Sequence, residues 1–152
     1  MNVGEWKYEN GNTSLVLRLK KELHYQISQN SNYEDLLVGE YKYVENGVVK
    51  ANTLSNFDNP IIAGYDHKIS GGVFVHFSPN NCLDSSESQE IKVELFIEDP
   101  SDENIEGLLI LRYVVENGIE KLQTCIYDYT TLSDDVNDRI IIPDGYYVFE
   151  KQ

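Results

Sequence analysis

From Leu15 to Ile27 the odd positions read Leu15, Leu17, Leu19, Lys21, Leu23, Tyr25 and Ile27, while the even ones read Val16, Arg18, Lys20, Glu22, His24 and Gln26. Side chains of a strand alternate between two faces, so a period of two held this long predicts a strand with one buried and one wet face. A helix would scatter the leucines around its circumference. At about 3.3 Å per residue such a strand is longer than most, and long strands survive by coiling around a core. Gly4-Glu5-Trp6-Lys7-Tyr8 precedes it across an Asn10-Gly11 turn, which supplies the positive φ angles of a tight hairpin.

The opening recurs. Val38-Gly39-Glu40-Tyr41-Lys42-Tyr43 matches Val3-Gly4-Glu5-Trp6-Lys7-Tyr8 position by position, and both run into Glu-Asn-Gly, with Val44 as one extra residue in the second copy. Alternation puts Gly4, Trp6 and Tyr8 on one face and Gly39, Tyr41 and Tyr43 on its equivalent, with Glu5, Lys7, Glu40 and Lys42 outward. A third turn stands at Glu116-Asn117-Gly118, and a missing member of the series would fall at Pro79-Asn80-Asn81. Internal repetition and convergence on good hairpin turns both account for the series.

Further strands are expected over 48–54, 69–77, 91–98, 122–129 and 146–150. Val73, Val75 and Phe77 share a face in the second of these, and Ile91, Val93, Leu95 and Ile97 in the third. Leu108-Leu109-Ile110-Leu111 is apolar on both faces and reads as a doubly covered strand. Residues 29–35, 56–65, 80–90 and 99–104 read as loops, and 131–138 as a loop holding one short helix. About nine or ten strands joined mostly as neighbours predict an all-β antiparallel meander, curled into a barrel or folded into a β-sandwich. Its 152 residues are one domain's worth, 1–152, long enough to bury roughly 70% of the unfolded surface.

Charge narrows the partners. A formal net charge of −14, concentrated after residue 84, repels DNA, RNA and acidic lipid headgroups. It suits solubility or a basic protein partner. No apolar run approaches the ~18 to 20 residues of a transmembrane helix. Cys82 and Cys125 permit one disulfide without demanding it, and closing that loop would add on the order of 4 kcal/mol. The chain opens Met1-Asn2-Val3 with no charged and apolar leader, so no export signal is expected within it.

Gly4-Glu5-Trp6 resembles the G-x-W opening of lipocalin-type barrels, in which the tryptophan plugs the closed end of the cup. Tyr127-Asp128-Tyr129 is similar to their T-D-Y motif, with Tyr in place of Thr. The resemblance also implies a closing basic residue on the last strand, for which Lys151 or the earlier Arg139 could serve. Residues 35–47, Leu111-Arg112-Tyr113 and Ile142-Pro143-Asp144 resemble an uncharacterised bacterial family of small exported or lipid-anchored lipocalin-like proteins. That resemblance implies a lipocalin-like fold and export to the periplasm, outer membrane surface or extracellular space. It implies no activity.

Catalytic signals are weak. Ser70 in Lys68-Ile69-Ser70-Gly71-Gly72 lacks the G-x-S-x-G elbow, His67 is too near in sequence to define a dyad, and the glycine pair reads as a bulge or turn. His24 and His76 read as surface or partly buried histidines. The acidic clusters at 99–103 and 134–138 do not reproduce a calcium loop, and neither a zinc spacing nor a phosphate loop is present, so no metal or cofactor is expected. A non-enzymatic binding module for a small, partly apolar ligand is therefore expected. Its candidate ligand-binding residues are Trp6, Tyr8, Tyr41, Tyr43 and Tyr113, which serve equally as core. The alternative is a protein–protein interaction or structural β domain with a filled core and an acidic surface.

Overall fold

The structure, a computed structural model, describes residues 3–77, 82, 89–129 and 138–152. The strands are β1 (Gly4–Asn10), β2 (Thr13–Tyr25), β3 (Glu34–Glu45), β4 (Val48–Asn52), β5 (Ile69–Val75), β6 (Lys92–Asp99), β7 (Asp102–Glu116), β8 (Ile119–Asp128) and β9 (Gly145–Lys151). Every pairing is antiparallel. They follow the order β2-β1-β9-β8-β7-β6-β5-β3, and β3 returns to β2, so eight strands close into a barrel. Closure removes the sandwich alternative. β4 pairs with β3 alone and lies outside the circuit as one extra strand.

The repeated opening explains how the first three strands lie. β1 and β3 flank β2 in matching register, giving the rungs Gly4–Leu19–Gly39, Trp6–Leu17–Tyr41 and Tyr8–Leu15–Tyr43. Equivalent residues thus meet the same leucine from opposite sides. Each buried leucine contributes about 1.5–3 kcal/mol.

Local turn chemistry fits with one shift. Asn46-Gly47 and Asn117-Gly118 are two-residue loops with φ of 52° and 77°, and 52° and 80°, as a type I′ turn requires. In the first hairpin Asn10 still pairs with Thr13, so the loop is Gly11-Asn12. The expected turn near residue 81 and, apart from Asp138, the short helix expected within 131–138 lie outside the described residues.

One expectation is corrected. Residues 99–104 are no loop: β6 reaches Asp99 and β7 starts at Asp102, because Asp99 Oδ1 accepts from the Ser101 N–H at 2.9 Å and from its hydroxyl at 2.6 Å, tightening the turn. In β5 the register shifts between Gly71 and Val73, with φ of 140° at Gly71 and 147° at Gly72. This bulge sends Val73 and Val75 outward, while Phe74, opposite Val93, turns inward.

The barrel's two ends differ. At the end where β1, β3, β6 and β8 finish, Ile140 and Ile142 are buried in the core as a plug. Three carboxylates hold that plug: Asp128 accepts from the Ile140 N–H at 3.2 Å, Asp99 Oδ2 from the Ile141 N–H at 3.0 Å, and Asp144 from the Asp128 N–H at 2.9 Å. Cys82 and Cys125 form a disulfide with Cα atoms 5.7 Å apart, packed outside the barrel with Ile110, Val75 and Tyr127. That outer cover explains why Ile110 is buried along with the inward Leu109 and Leu111.

Core tyrosines tie the barrel to alkaline pH. Burial, reinforced by the charges of Asp99, Glu40 and Glu98, raises the Tyr41 phenol far above its ordinary range, and its hydroxyl donates to the Glu98 carbonyl at 2.9 Å. Burial also raises Tyr147, and burial with Glu45 pushes Tyr43 up to about 12. Unfolded tyrosines lose their proton near pH ~10, whereas these hold theirs in the folded state. Their contribution is therefore complete below about pH 10 and is lost as pH rises toward and past 12. Urea midpoints measured from about pH 8 to 12 are expected to hold level and then fall above pH ~10.

Candidate functional site

At the end where β1 begins and β2, β5 and β7 finish, the inward rows outrun the packed core. On β2 the row Leu15, Leu17, Leu19 is fully buried and continues as Lys21 and Leu23, the latter 61% exposed. Phe74 on β5 is 73% exposed although it faces inward opposite Val93. On β6 the buried row Ile97 and Leu95 continues as Val93, which is only partly buried. Apolar side chains that point into a barrel yet remain in water mark an interior that nothing fills. Between them lies a hollow of about 420 Å³ lined by Lys21, Leu23, Leu37, Phe74 and Val93, with Asp35 and Gly72 also on its wall.

The five aromatic candidates lie elsewhere. Trp6, Tyr41 and Tyr43 are buried in the core, Tyr8 packs against it 4.9 Å from the Tyr147 ring, and none of the five lines the hollow. Tyr113 reaches toward the open end, 6.3 Å from Trp6. The resemblance implied a tryptophan at the closed end of the cup. Instead the plug is Ile140 and Ile142 at the far end, and Trp6 lies one rung inside the start of β1, toward the open end. Lys151 pairs across from Trp6, with Nζ 5.7 Å from its ring, whereas the exposed Arg139 sits 4.0 Å from Asp144.

Sequence reasoning missed the hollow because its wall is made by a bulge. Phe74 turns inward only through the extra residue at Gly72, which the simple alternation of Val73, Val75 and Phe77 conceals. The inward Lys21 was a legible signal, the one polar residue in an otherwise apolar row.

A second polar feature lies outside the barrel. The connection from β4 to β5, with single 3-10 turns at Leu54–Asn56 and Gly64–Asp66, lies as a strap over the outward side chains of β2 and β3. Lys20 donates to the Phe57 carbonyl at 2.9 Å, the Arg18 guanidinium stands 4.4 Å from the Phe57 ring, and Glu22 accepts from the Gly64 N–H at 2.6 Å. Glu40 faces outward as alternation predicts, but the strap removes it wholly from water. There His67 Nδ1 meets Glu40 at 2.9 Å, and Nε2 lies 3.3 Å from Glu22.

This geometry answers the catalytic candidates. Both ring nitrogens of His67 face carboxylates rather than Ser70, which is buried on β5 opposite Val38. His24 and His76 are exposed. Among the described residues no group of His, Cys, Asp and Glu is arranged to hold a metal, and no helix is long and apolar enough to cross a membrane.

An eight-stranded antiparallel barrel, plugged at one end and open over an apolar hollow at the other, defines a lipocalin-like barrel. Over residues 2–152 the chain matches the model of a family of unknown function, DUF6705, and it belongs to that family. No curated protein and no solved structure matches it.

Proposed function

We propose that this protein is a non-enzymatic binding module that takes a small, partly apolar ligand into the open end of its barrel. The observation that carries the reading is the bare inward row: Leu23 and Phe74 line the open end of the barrel while remaining largely in water. A hollow of about 420 Å³ is of the size small-molecule sites occupy, roughly 300–1,000 Å³. The setting we take is an exported one, which the Cys82–Cys125 disulfide supports because such bonds persist in oxidising compartments.

A neutral apolar dye, N-phenyl-1-naphthylamine, tests the reading. It is expected to bind saturably at one site and to be displaced by dodecanol. Phe74→Ser is expected to weaken it about tenfold, since an aromatic face of the wall is lost. Stability should move by no more than about 0.5 kcal/mol, because Phe74 packs little in the free protein. Absence of saturable binding, or binding indifferent to Phe74→Ser, would sink the proposal.

The second reading, an interaction domain with a filled core and acidic surface, is favoured by the centre of the barrel, where Trp6, Leu17, Tyr41 and Leu109 leave no exposed surface. It predicts a partner whose association weakens with salt, and no dye binding.

A further inference from the structure

We propose that the ligand is a free amphiphile with an anionic head group, and that Lys21 receives that head. The inference rests on the reading of the open end as a ligand cup and names the chemistry the cup selects. Lys21 follows Leu15, Leu17 and Leu19 on the inward row of β2 and pairs across to the buried Leu37, so the strand aims it into the hollow. An apolar side chain would continue the row. A lysine there places a cation at the lip of an apolar wall.

That cation is unclaimed. Of the twelve basic residues, nine hold a carboxylate within the described residues: Lys7, Arg18, Lys20, Lys50, Lys68, Arg112, Lys121, Arg139 and Lys151. Lys21 has neither ion pair nor hydrogen bond among them, although the chain carries 26 carboxylates. The one carboxylate on the wall, Asp35, is engaged: its Oδ1 accepts from the His24 N–H at 3.1 Å, holding the backbone where His24 takes a φ of 56°. Of the two charged groups on the wall, only the Lys21 ammonium lacks a hydrogen-bond or ion-pair partner among the described residues. A ligand whose chain lies along Leu23, Leu37, Phe74 and Val93, and whose head meets the ammonium, satisfies both parts of the wall. The ligand is a free molecule rather than a bilayer, because the apolar residues of the wall point inward, where a planar membrane surface does not reach.

Calorimetric titration of the full chain with dodecanoate and with dodecanol, each below its micelle concentration, tests this. Dodecanoate is expected to bind tighter than dodecanol by about two- to fivefold, the increment of one partly exposed ion pair. Lys21→Gln should abolish that difference and leave dodecanol unchanged, and Lys21→Glu should reverse it. Since the Lys21 side chain is exposed and makes no ion pair or hydrogen bond with a described residue, both variants are expected to keep the parent unfolding midpoint. Equal binding of acid and alcohol, or a preference that survives Lys21→Gln, would overturn the head-group assignment and leave the cup standing. If neither binds, both proposals fall. Co-flotation with phosphatidylcholine vesicles, without binding of free dodecanoate, would overturn the free-ligand assignment.

Discussion

Gly39→Ala is expected to destabilise the barrel by on the order of 3 kcal/mol or more, the upper range of overpacking. A Cβ at residue 39 would collide with the Arg18 carbonyl oxygen and come within 2.8 Å of Leu19 Cδ2. The first is backbone of the neighbouring strand, so relief requires β2 and β3 to separate where their pairing is longest. The equivalent glycine of the first copy sets the contrast. Gly4 has room, with only Lys151 Cε at 3.6 Å, but its φ of 123° is one that L side chains rarely adopt. Gly4→Ala should therefore cost less, about 1–2 kcal/mol of backbone strain. Urea unfolding of the two variants reads the difference. Equal losses would show that the close approach of β3 to β2 is not what demands glycine at 39.

His67→Ala is expected to cost about 3–5 kcal/mol, because it strips a wholly buried carboxyl of its partner. Glu40 has no exposed surface, its Oε1 meets only His67, and its Oε2 has no hydrogen-bond partner among the described residues. Removing the imidazole strands Glu40 beneath the strap. Replacing both, as His67→Leu with Glu40→Leu, should recover most of the loss, since well-packed apolar residues often substitute for a buried pair at little cost. A double-mutant cycle by urea unfolding gives the coupling directly. Strict additivity, with each single change costing under about 1 kcal/mol, would show that the strap is held by its other contacts instead.

Both effects hinge on residues that one-dimensional reading places only halfway. Gly39 and Glu40 sit where alternation puts them, inward and outward. Alternation is silent on what stands opposite. The outward row of β2, Arg18, Lys20 and Glu22, reads as a wet face because its residues are charged. Those same charges anchor the strap through Phe57 and Gly64, and a polar contact made over 37 or 42 residues leaves no periodic trace. The Gly71-Gly72 pair announced a bulge, yet only register shows that it rotates Phe74 into the hollow.

The order of amino acids by itself determined the meander, its tight turns, the matched first and third strands and the doubly buried Leu108–Leu111. Each follows from side chains two residues apart or from the φ preferences of Asn and Gly, which are local properties. Tertiary structure alone decided that the sheet closes, that β4 is left out, and which end is plugged. It also joined Cys82 to Cys125, hid Glu40 beside His67 and brought Lys21 to the rim of an apolar hollow. Those outcomes depend on which distant segments meet and on how much interior volume their side chains fill, and no window along the chain contains both partners.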